Sequence, residues 1–273
     1  MKQRTRTAGA SARPQPKVTQ WRVICSEWGK LLSVRSTKWT MVISLTLIIG
    51  FGIAISAIFS AQWNSLSQAQ QMSYDPLDIG LGGIGLAQLS ISVLGVLAIS
   101  SEYSTGMIRA DFLAVPKRLP ILWGKALAFS GLVLAATIPS VLIAFFASQK
   151  ILSAHGSYSI EDTHALRVIV GSILFLPLIG VFSLAVAAII RSTAGSIATL
   201  FGLFFVGPPV LSLLPGDLGE IIPKFFPGDA AASMYSSHIS GNALSPIWGG
   251  LVLCGYICIS LTIAAILLLR RDA

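Results

Sequence analysis

Few residues of this chain stand in patterns that would support cofactor chemistry. Segment 80–85 (GLGGIG) fits the glycine spacing of dinucleotide-binding loops, but such a loop binds pyrophosphate only between a β-strand and a helix of a βαβ unit. Here the glycines begin a long apolar segment, where small residues let helices pack closely. Gly29-Lys30 and Gly124-Lys125 lack the upstream glycine and the following hydroxyl of a phosphate-binding loop. We therefore predict no nucleotide site.

The histidines and cysteines also form no recognisable catalytic or metal-binding pattern. His155, His164 and His238 are separated from one another and have no metal-ligand neighbours in sequence. Cys254 and Cys258 lie one helical turn apart in an apolar segment, where cysteines usually serve as small packing residues. Serine-nucleophile and zinc-protease motifs are missing as well. The sequence predicts no catalytic residue, no metal site, no cofactor and no enzymatic activity of its own.

Six apolar segments without Asp, Glu, Lys or Arg dominate the 273-residue chain. Each has ~20 residues, enough to cross ~30 Å of hydrocarbon as a helix. We predict an all-α membrane protein with spans at 40–61, 79–99, 126–147, 168–190, 193–214 and 247–269. Ion-coupled carriers usually place charged residues inside their spans. The apolar spans therefore favour a protein whose energy comes from elsewhere.

The connecting charges predict the orientation of these spans. Sixteen of the nineteen Lys and Arg residues lie before the first span, in the second and fourth loops, or in the tail. The positive-inside rule then places both termini in the cytoplasm. The formal net charge of +8 is explained by this cytoplasmic collar, which contacts anionic lipid. Nucleic acid is not an expected partner, because no basic patch lies on a soluble module.

The residues before the first span predict two different segments. Residues 1–17 are rich in Arg, Ser, Ala and Pro, which is typical of a disordered cytoplasmic tail. Residues 18–39 read as an amphipathic helix lying in the membrane interface. Its apolar stripe includes Trp21, Ile24, Trp28 and Leu31, and its polar face includes Gln20, Arg22, Glu27, Lys30 and Ser33. Two interpretations stay open: a simple anchor, or a lever that connects a cytoplasmic partner to the first span.

Two long loops stand out among the connections. The loop at 100–125 has both charge signs, a segment at 102–113 with helical character interrupted by Gly106, and a stop at Pro116. Ordered loops of this length are usually functional. The outer segment 215–246 is too apolar for a free loop and too rich in proline for a span. Short re-entrant or interfacial helices are the expected structure there.

The sequence resembles the type-2 ABC-transporter permease family, the membrane subunits of bacterial ABC exporters, and particularly its short actinobacterial members. The resemblance covers all six spans in order and is carried by four blocks: 26–39 (SEWGKLLSVRSTKW), 94–97 (LGVL), 101–109 (SEYSTGMIR) and 114–118 (AVPKR). The longer N-terminal tail departs from many relatives.

The resemblance implies a single permease domain at 18–273 in the plasma (inner) membrane. It also implies a dimer with a second copy or a paralogue, and a separate ABC ATPase subunit as partner. The ATPase-coupling loop then consists of Ser101, Glu102, Tyr103, Ser104, Thr105, Gly106, Met107, Ile108 and Arg109. The supporting interfacial helix carries Trp21, Ile24, Trp28, Leu31 and Arg35. Glu102 is expected to pair with a basic ATPase residue or to cap a helix N-terminus.

Two other classes stay open from the residues alone. One is a non-transporting membrane subunit that anchors or regulates a complex, and the other is a secondary carrier. Co-purification of an ATPase separates the exporter from the carrier. Stimulation of the ATPase by substrate separates the exporter from the anchor.

Overall fold

The computed structural model of the protein describes residues 19–72, 74–107, 118–238 and 243–270. These residues form an all-helical bundle. Its helices are α1 (Gln20–Ser33), α2 (Arg35–Gln62), α3 (Gln68–Met72), α4 (Pro76–Leu81), α5 (Gly83–Thr105), α6 (Arg118–Leu152), α7 (Thr163–Ile190), α8 (Thr193–Phe201), α9 (Gly207–Leu211), α10 (Leu218–Ile221), α11 (Pro227–Tyr235) and α12 (Pro246–Arg270). The predicted tail at 1–17 lies outside the described residues.

Six helical stretches are long and apolar enough to cross a membrane, which confirms the predicted number of spans. They run over Arg35–Ser65, Pro76–Thr105, Leu119–Leu152, Thr163–Ile190, Thr193–Leu211 and Pro246–Arg270. In the stretch that contains α7, 67% of the residues in the most apolar window are buried inside the protein, the largest share of the six. The stretch that contains α5 follows with 56%. These two helices therefore form the centre of the bundle, and the others present more of their surface outward.

The starts of α4, which leads into α5, and of α7 are each fixed by a local signal. Asp75 is the N-cap of α4 and accepts a hydrogen bond from the Leu77 amide at 2.8 Å, and Pro76 occupies the first turn. Asp162 caps α7 by accepting from the His164 amide at 3.3 Å. At its other end, α5 stops at Gly106, whose φ of 70° is a left-handed conformation suited to glycine.

The fifth span contains an irregular turn next to two prolines. Gly202–Val206 is a π-helical turn between α8 and α9, immediately before Pro208 and Pro209. Neither proline has an amide hydrogen, so the carbonyls one turn earlier lose their regular partners. The predicted span at 193–214 accordingly ends sooner, at Leu211.

The described part of segment 215–246 forms short helices, as the sequence predicts. Leu218–Ile221, the 3-10 turn Pro223–Phe225 and Pro227–Tyr235 follow one another. α11 buries Ala230, Ala231 and Met234 in the core of the bundle. Gly171 of α7 and Gly249 of α12 lie directly against backbone atoms of α11. Small residues on both neighbours therefore let this short helix pack between α7 and α12.

Glycines also allow the closest approach between the central helices. A Cβ at Gly95 of α5 would collide with the backbone carbonyl of Gly180 on α7. In the segment that resembles a dinucleotide loop, a Cβ would meet Ser148 at Gly80, and the carbonyls of α2 at Gly83. The predicted packing role is confirmed at these two positions. The other two glycines show no such close packing: Gly82 is exposed, and a Cβ at Gly85 would meet only the Tyr235 hydroxyl oxygen, at 4.0 Å.

Substitution of Gly95 by Ala is expected to lower the free energy of unfolding by roughly 1–3 kcal/mol, because a backbone carbonyl cannot move aside as a side chain does. The matched control is Gly255→Ala on α12, where a Cβ would meet nothing within 4 Å. That change should be neutral or stabilising by about 0.5–1 kcal/mol, since glycine weakens a helix interior. Unfolding in mixed detergent micelles measures both. Equal changes in the free energy of unfolding for the two variants would show that α5 and α7 are not in direct backbone contact at Gly95.

Candidate functional site at the charged end of the bundle

Three charged side chains from three separate helices meet at one end of the bundle. Lys125 of α6 donates from Nζ to Glu27 Oε2 of α1 at 2.5 Å and to Glu102 Oε1 of α5 at 2.6 Å. Glu27 and Lys125 are each 2% exposed, and Glu102 is 7% exposed. Lys30, which is more accessible, contacts Glu27 Oε1 at 2.7 Å and lies 3.9 Å from Glu102 Oε1. We call Glu27, Glu102 and Lys125 the buried triad.

The approach of α1 to α6 brings the triad together. Gly124 and Gly131 of α6 lie directly against the side chains of Val23 and Trp28 of α1, and neither position has room for a Cβ. The Gln20 side-chain amide donates to the Pro120 carbonyl at 3.1 Å and fixes the start of α1. One helical turn after Val23, the same face of α1 then points Glu27 at Lys125.

This arrangement corrects the predicted faces of α1. Glu27 was expected on the solvated polar face, but it lies on the buried face with Val23 and Leu31. Ile24 and Trp28 of the predicted apolar stripe are half-buried against the core. Trp21 is 71% exposed, which is compatible with its predicted position in the membrane interface. The physical reason is that α1 packs on α6, whose Lys125 supplies a counter-charge that no hydrophobicity pattern of α1 reveals. Arg35 is exposed and begins α2.

The electrostatics of Glu27 follow from its two lysine partners. Burial alone raises the pKa of this carboxyl, but the charges and hydrogen bonds of Lys125 and Lys30 outweigh it and hold the pKa below its ordinary value. Glu27 therefore remains ionised next to its lysines. The cluster thus brings two carboxyl groups and two lysine side chains together, with each carboxyl group next to a lysine.

The predicted coupling loop divides into buried and exposed residues. Glu102 lies in the last turn of α5 and does not begin a helix. Among the described residues, its carboxylate accepts from Lys125 Nζ at 2.6 Å and lies 3.9 Å from Lys30 Nζ. Ser101, Ser104, Thr105, Gly106 and Met107 are exposed. Ile108 and Arg109 lie outside the described residues. Among the described residues of this motif, the accessible side chains are therefore those of Ser101, Ser104, Thr105 and Met107.

Tyr103 belongs to a second connection at the same end. The guanidinium of Arg191 lies 5.0 Å from the centre of the Tyr103 ring, an attractive cation–π arrangement. Arg191 ends α7 with a φ of 59°, unusual for a residue other than glycine. It also donates to the Leu267 carbonyl of α12 at 3.5 Å. Ser100 and Thr193 join α5 to α8 through a hydroxyl hydrogen bond of 2.9 Å.

A cavity of about 300 Å³ opens between the α1–α2 corner and the end of α5. Ser36 and Thr37 line one side, and Ser101, Thr105 and Met107 line the other. Lys30, Glu102 and Lys125 also contribute to its wall. The exposed residues of the predicted loop thus border a recess whose wall includes Glu102 and Lys125 of the buried triad. The arrangement holds α1, α5 and α6 in a fixed relation; it offers no activated nucleophile.

One histidine is less isolated than the sequence indicates. His238 Nε2 lies 3.5 Å from Asp75 Oδ2 at the opposite end of the bundle, and both residues lie close to Asp78. His155 stacks on Trp63 with ring centres 4.4 Å apart. Sequence reasoning missed the group of His238, Asp75 and Asp78 because a tertiary contact joins loops that are far apart along the chain.

No family model matches the chain, and no curated protein is significantly similar to it.

Proposed function

We propose that this chain is the membrane subunit of an ATP-driven exporter that works with a separate ATPase and resembles the type-2 ABC permeases. The observation that carries the proposal is the construction of the end formed by α1, α5 and α6. There, a central helix ends in the exposed residues Ser101, Ser104, Thr105, Gly106 and Met107, and the buried triad holds its last turn through Glu102. A force applied to these residues reaches the most buried helices directly.

Three features of the sequence support the same proposal. The chain has no phosphate-binding loop, so ATP hydrolysis requires another subunit. The six apolar segments 40–61, 79–99, 126–147, 168–190, 193–214 and 247–269 contain no Asp, Glu, Lys or Arg, which disfavours coupling to an ion gradient. With sixteen of nineteen Lys and Arg residues on its side, the triad end lies in the cytoplasm. That is the side on which ATP and an ATPase are present.

Co-purification with the cognate ATPase tests this function. Ser104→Asp should reduce the recovered ATPase by roughly tenfold or more, because an unpaired charge would be desolvated at the docking surface. The matched control is Ser67→Asp, which places the same charge on an exposed serine at the opposite end. Cysteines at the same two positions test the orientation. An impermeant thiol reagent applied to intact cells should label Ser67→Cys and spare Ser104→Cys.

Each outcome bears on a different part of the proposal. If no ATPase is recovered with the unaltered protein, the exporter function is wrong. If the ATPase is recovered equally with both aspartate variants, docking occurs away from residues 101–107. If Ser104→Cys is labelled and Ser67→Cys is not, the orientation is reversed.

A further inference from the structure

The opposite end of the bundle has a strongly acidic character. Seven of the eleven Asp and Glu residues lie in the segments that join the spans there, with only three Lys or Arg residues: Lys150, Arg167 and Lys224. The excess of negative charge attracts cations to this face and raises their local concentration. A cation-binding cavity is therefore favoured at this end.

A cavity of about 210 Å³ lies within this acidic end. The carboxylates of Asp75 and Asp78 line it together with the rings of Phe59 and Tyr74 and the amide side chain of Gln70. Leu66 and Ile79 complete an apolar portion. The cavity thus combines negative charge, aromatic rings and aliphatic surface. Ligands that carry a cationic head on an apolar body need these same three components.

The two carboxylates are held in place by neutral donors. Asp75, which is 6% exposed, accepts from the Leu77 amide at 2.8 Å. Asp78 accepts from the amide and the hydroxyl of Ser237 at 2.9 and 2.6 Å. Among the residues that the structure describes, neither carboxylate pairs with Lys or Arg; Arg167 instead donates to the carbonyls of Ser236 and Ser237. Asp75 Oδ2 also lies 3.5 Å from His238 Nε2. Within the described residues, no Lys or Arg neutralises the charge of these two carboxylates.

The aromatic wall is preorganised by stacking. The rings of Phe59 and Tyr74 stack with centres 4.9 Å apart and an interplanar angle of 16°. Trp63 contacts the Tyr74 ring edge-on at 5.2 Å. The Tyr74 hydroxyl is buried and has no hydrogen-bond partner in the described part of the chain. Burial and the charge of Asp75 raise the pKa of this hydroxyl to about 12, so it stays protonated.

We propose that this cavity binds an organic ammonium ion, held by the carboxylates of Asp75 and Asp78 and by the rings of Phe59 and Tyr74. Aromatic rings attract ammonium groups through their negative faces, and carboxylates supply the full counter-charge. The site requires no ATPase and goes beyond the proposed function. It holds whether the ligand is transported or only bound.

A divalent metal ion is the competing occupant, because Asp75, Asp78 and His238 offer ligand atoms within 4.8 Å of one another. Three features favour the organic cation. His238 is 70% exposed. Both oxygens of Asp78 already accept hydrogen bonds from Ser237. The aromatic wall, which is useful for an ammonium group, contributes no metal ligand.

Binding of choline to the purified full chain in a maltoside detergent tests the proposal. Equilibrium dialysis with radiolabelled choline is compared with 3,3-dimethylbutan-1-ol, the uncharged compound of the same shape. Choline should bind at least roughly tenfold more tightly, since only the cation gains from carboxylates and rings. Asp75→Asn and Asp78→Asn should each lower choline affinity by about tenfold, and Phe59→Leu should lower it by a smaller factor.

The asparagine variants are chosen to preserve the fold. An asparagine oxygen at position 75 still accepts from the Leu77 amide, so the cap of α4 is retained. The matched control is Glu161→Gln, an exposed carboxylate at the same end that does not line the cavity. It should change choline affinity by less than about twofold, because Glu161 does not line the cavity and its charge is screened by solvent. Unfolding midpoints of all variants verify that each protein is folded.

Three results would overturn the proposal. The first is equal binding of choline and its uncharged analogue. The second is unchanged choline binding in Asp75→Asn and Asp78→Asn. The third is undetectable choline binding together with Zn²⁺ or Ca²⁺ binding that His238→Ala removes, which would identify a metal site. None of these results depends on whether an ATPase binds at the other end, so this inference and the exporter function fail separately.

Discussion

Replacement of Lys125 by Met is expected to lower the free energy of unfolding by roughly 3–5 kcal/mol, the usual cost of removing one partner from a buried ion pair. Met keeps the length and apolar volume of the lysine stem, so the change isolates the charge. Two carboxylates, Glu27 and Glu102, would then remain in a site where both are at least nine-tenths buried. Lys30 is able to compensate only in part, because it lies 3.9 Å from Glu102.

The control for this prediction is Lys150→Met. Lys150 is an exposed cation in the last turn of the same helix, α6. Its loss should cost less than about 1 kcal/mol, since an exposed charge near a helix end contributes little. A second variant combines Lys125→Met with Glu27→Gln and Glu102→Gln, which removes the two carboxylates left without their lysine. This triple variant should recover part of the lost stability. Equal stability of Lys125→Met and Lys150→Met would mean that the triad is solvated.

The spans could be predicted because a helix that crosses lipid needs ~20 apolar residues, a signal contained within each segment. The segments 40–61 and 168–190 carry that signal without reference to the rest of the chain. The helical character of residues 20–33 was equally local. Its orientation was not, because the face that becomes buried depends on what packs against it. Glu27 looks polar in any periodicity analysis, and only the position of Lys125 on α6 explains its burial.

The candidate site shows the same limit. The motif at 101–109 was identified from the sequence, and the exposure of Ser101, Ser104, Thr105, Gly106 and Met107 at a helix end agrees with a contact surface. The partner of Glu102 was not predictable, since Lys125 lies on the next helix and the pairing depends on how two helices are rotated against each other. At the opposite end, Asp78 and Ser237 are joined across 159 residues. Such contacts arise from the fold and leave no periodic signal.

Reversal of charge at Glu102 should have a still larger effect than loss of Lys125, because Glu102→Lys places a third ammonium group beside Lys125 and Lys30. Like charges repel most strongly where water is excluded, and Glu102 is 7% exposed. We expect little folded protein in detergent, even when no ATPase is present. That expectation separates an internal role of Glu102 from a contact with a partner, for which the isolated chain would fold normally.

Glu161→Lys provides the matched control for the charge reversal. It makes the same change in net charge on an exposed residue at the opposite end, and its effect should stay within about 1 kcal/mol. Size-exclusion profiles and thermal unfolding of the purified variants measure the difference. A well-folded Glu102→Lys protein that merely loses its ATPase would place Glu102 on the docking surface instead. An unfolded Glu102→Lys protein would mean that lost ATPase binding in this variant reports on the triad, and that Ser104 is the position from which docking must be tested.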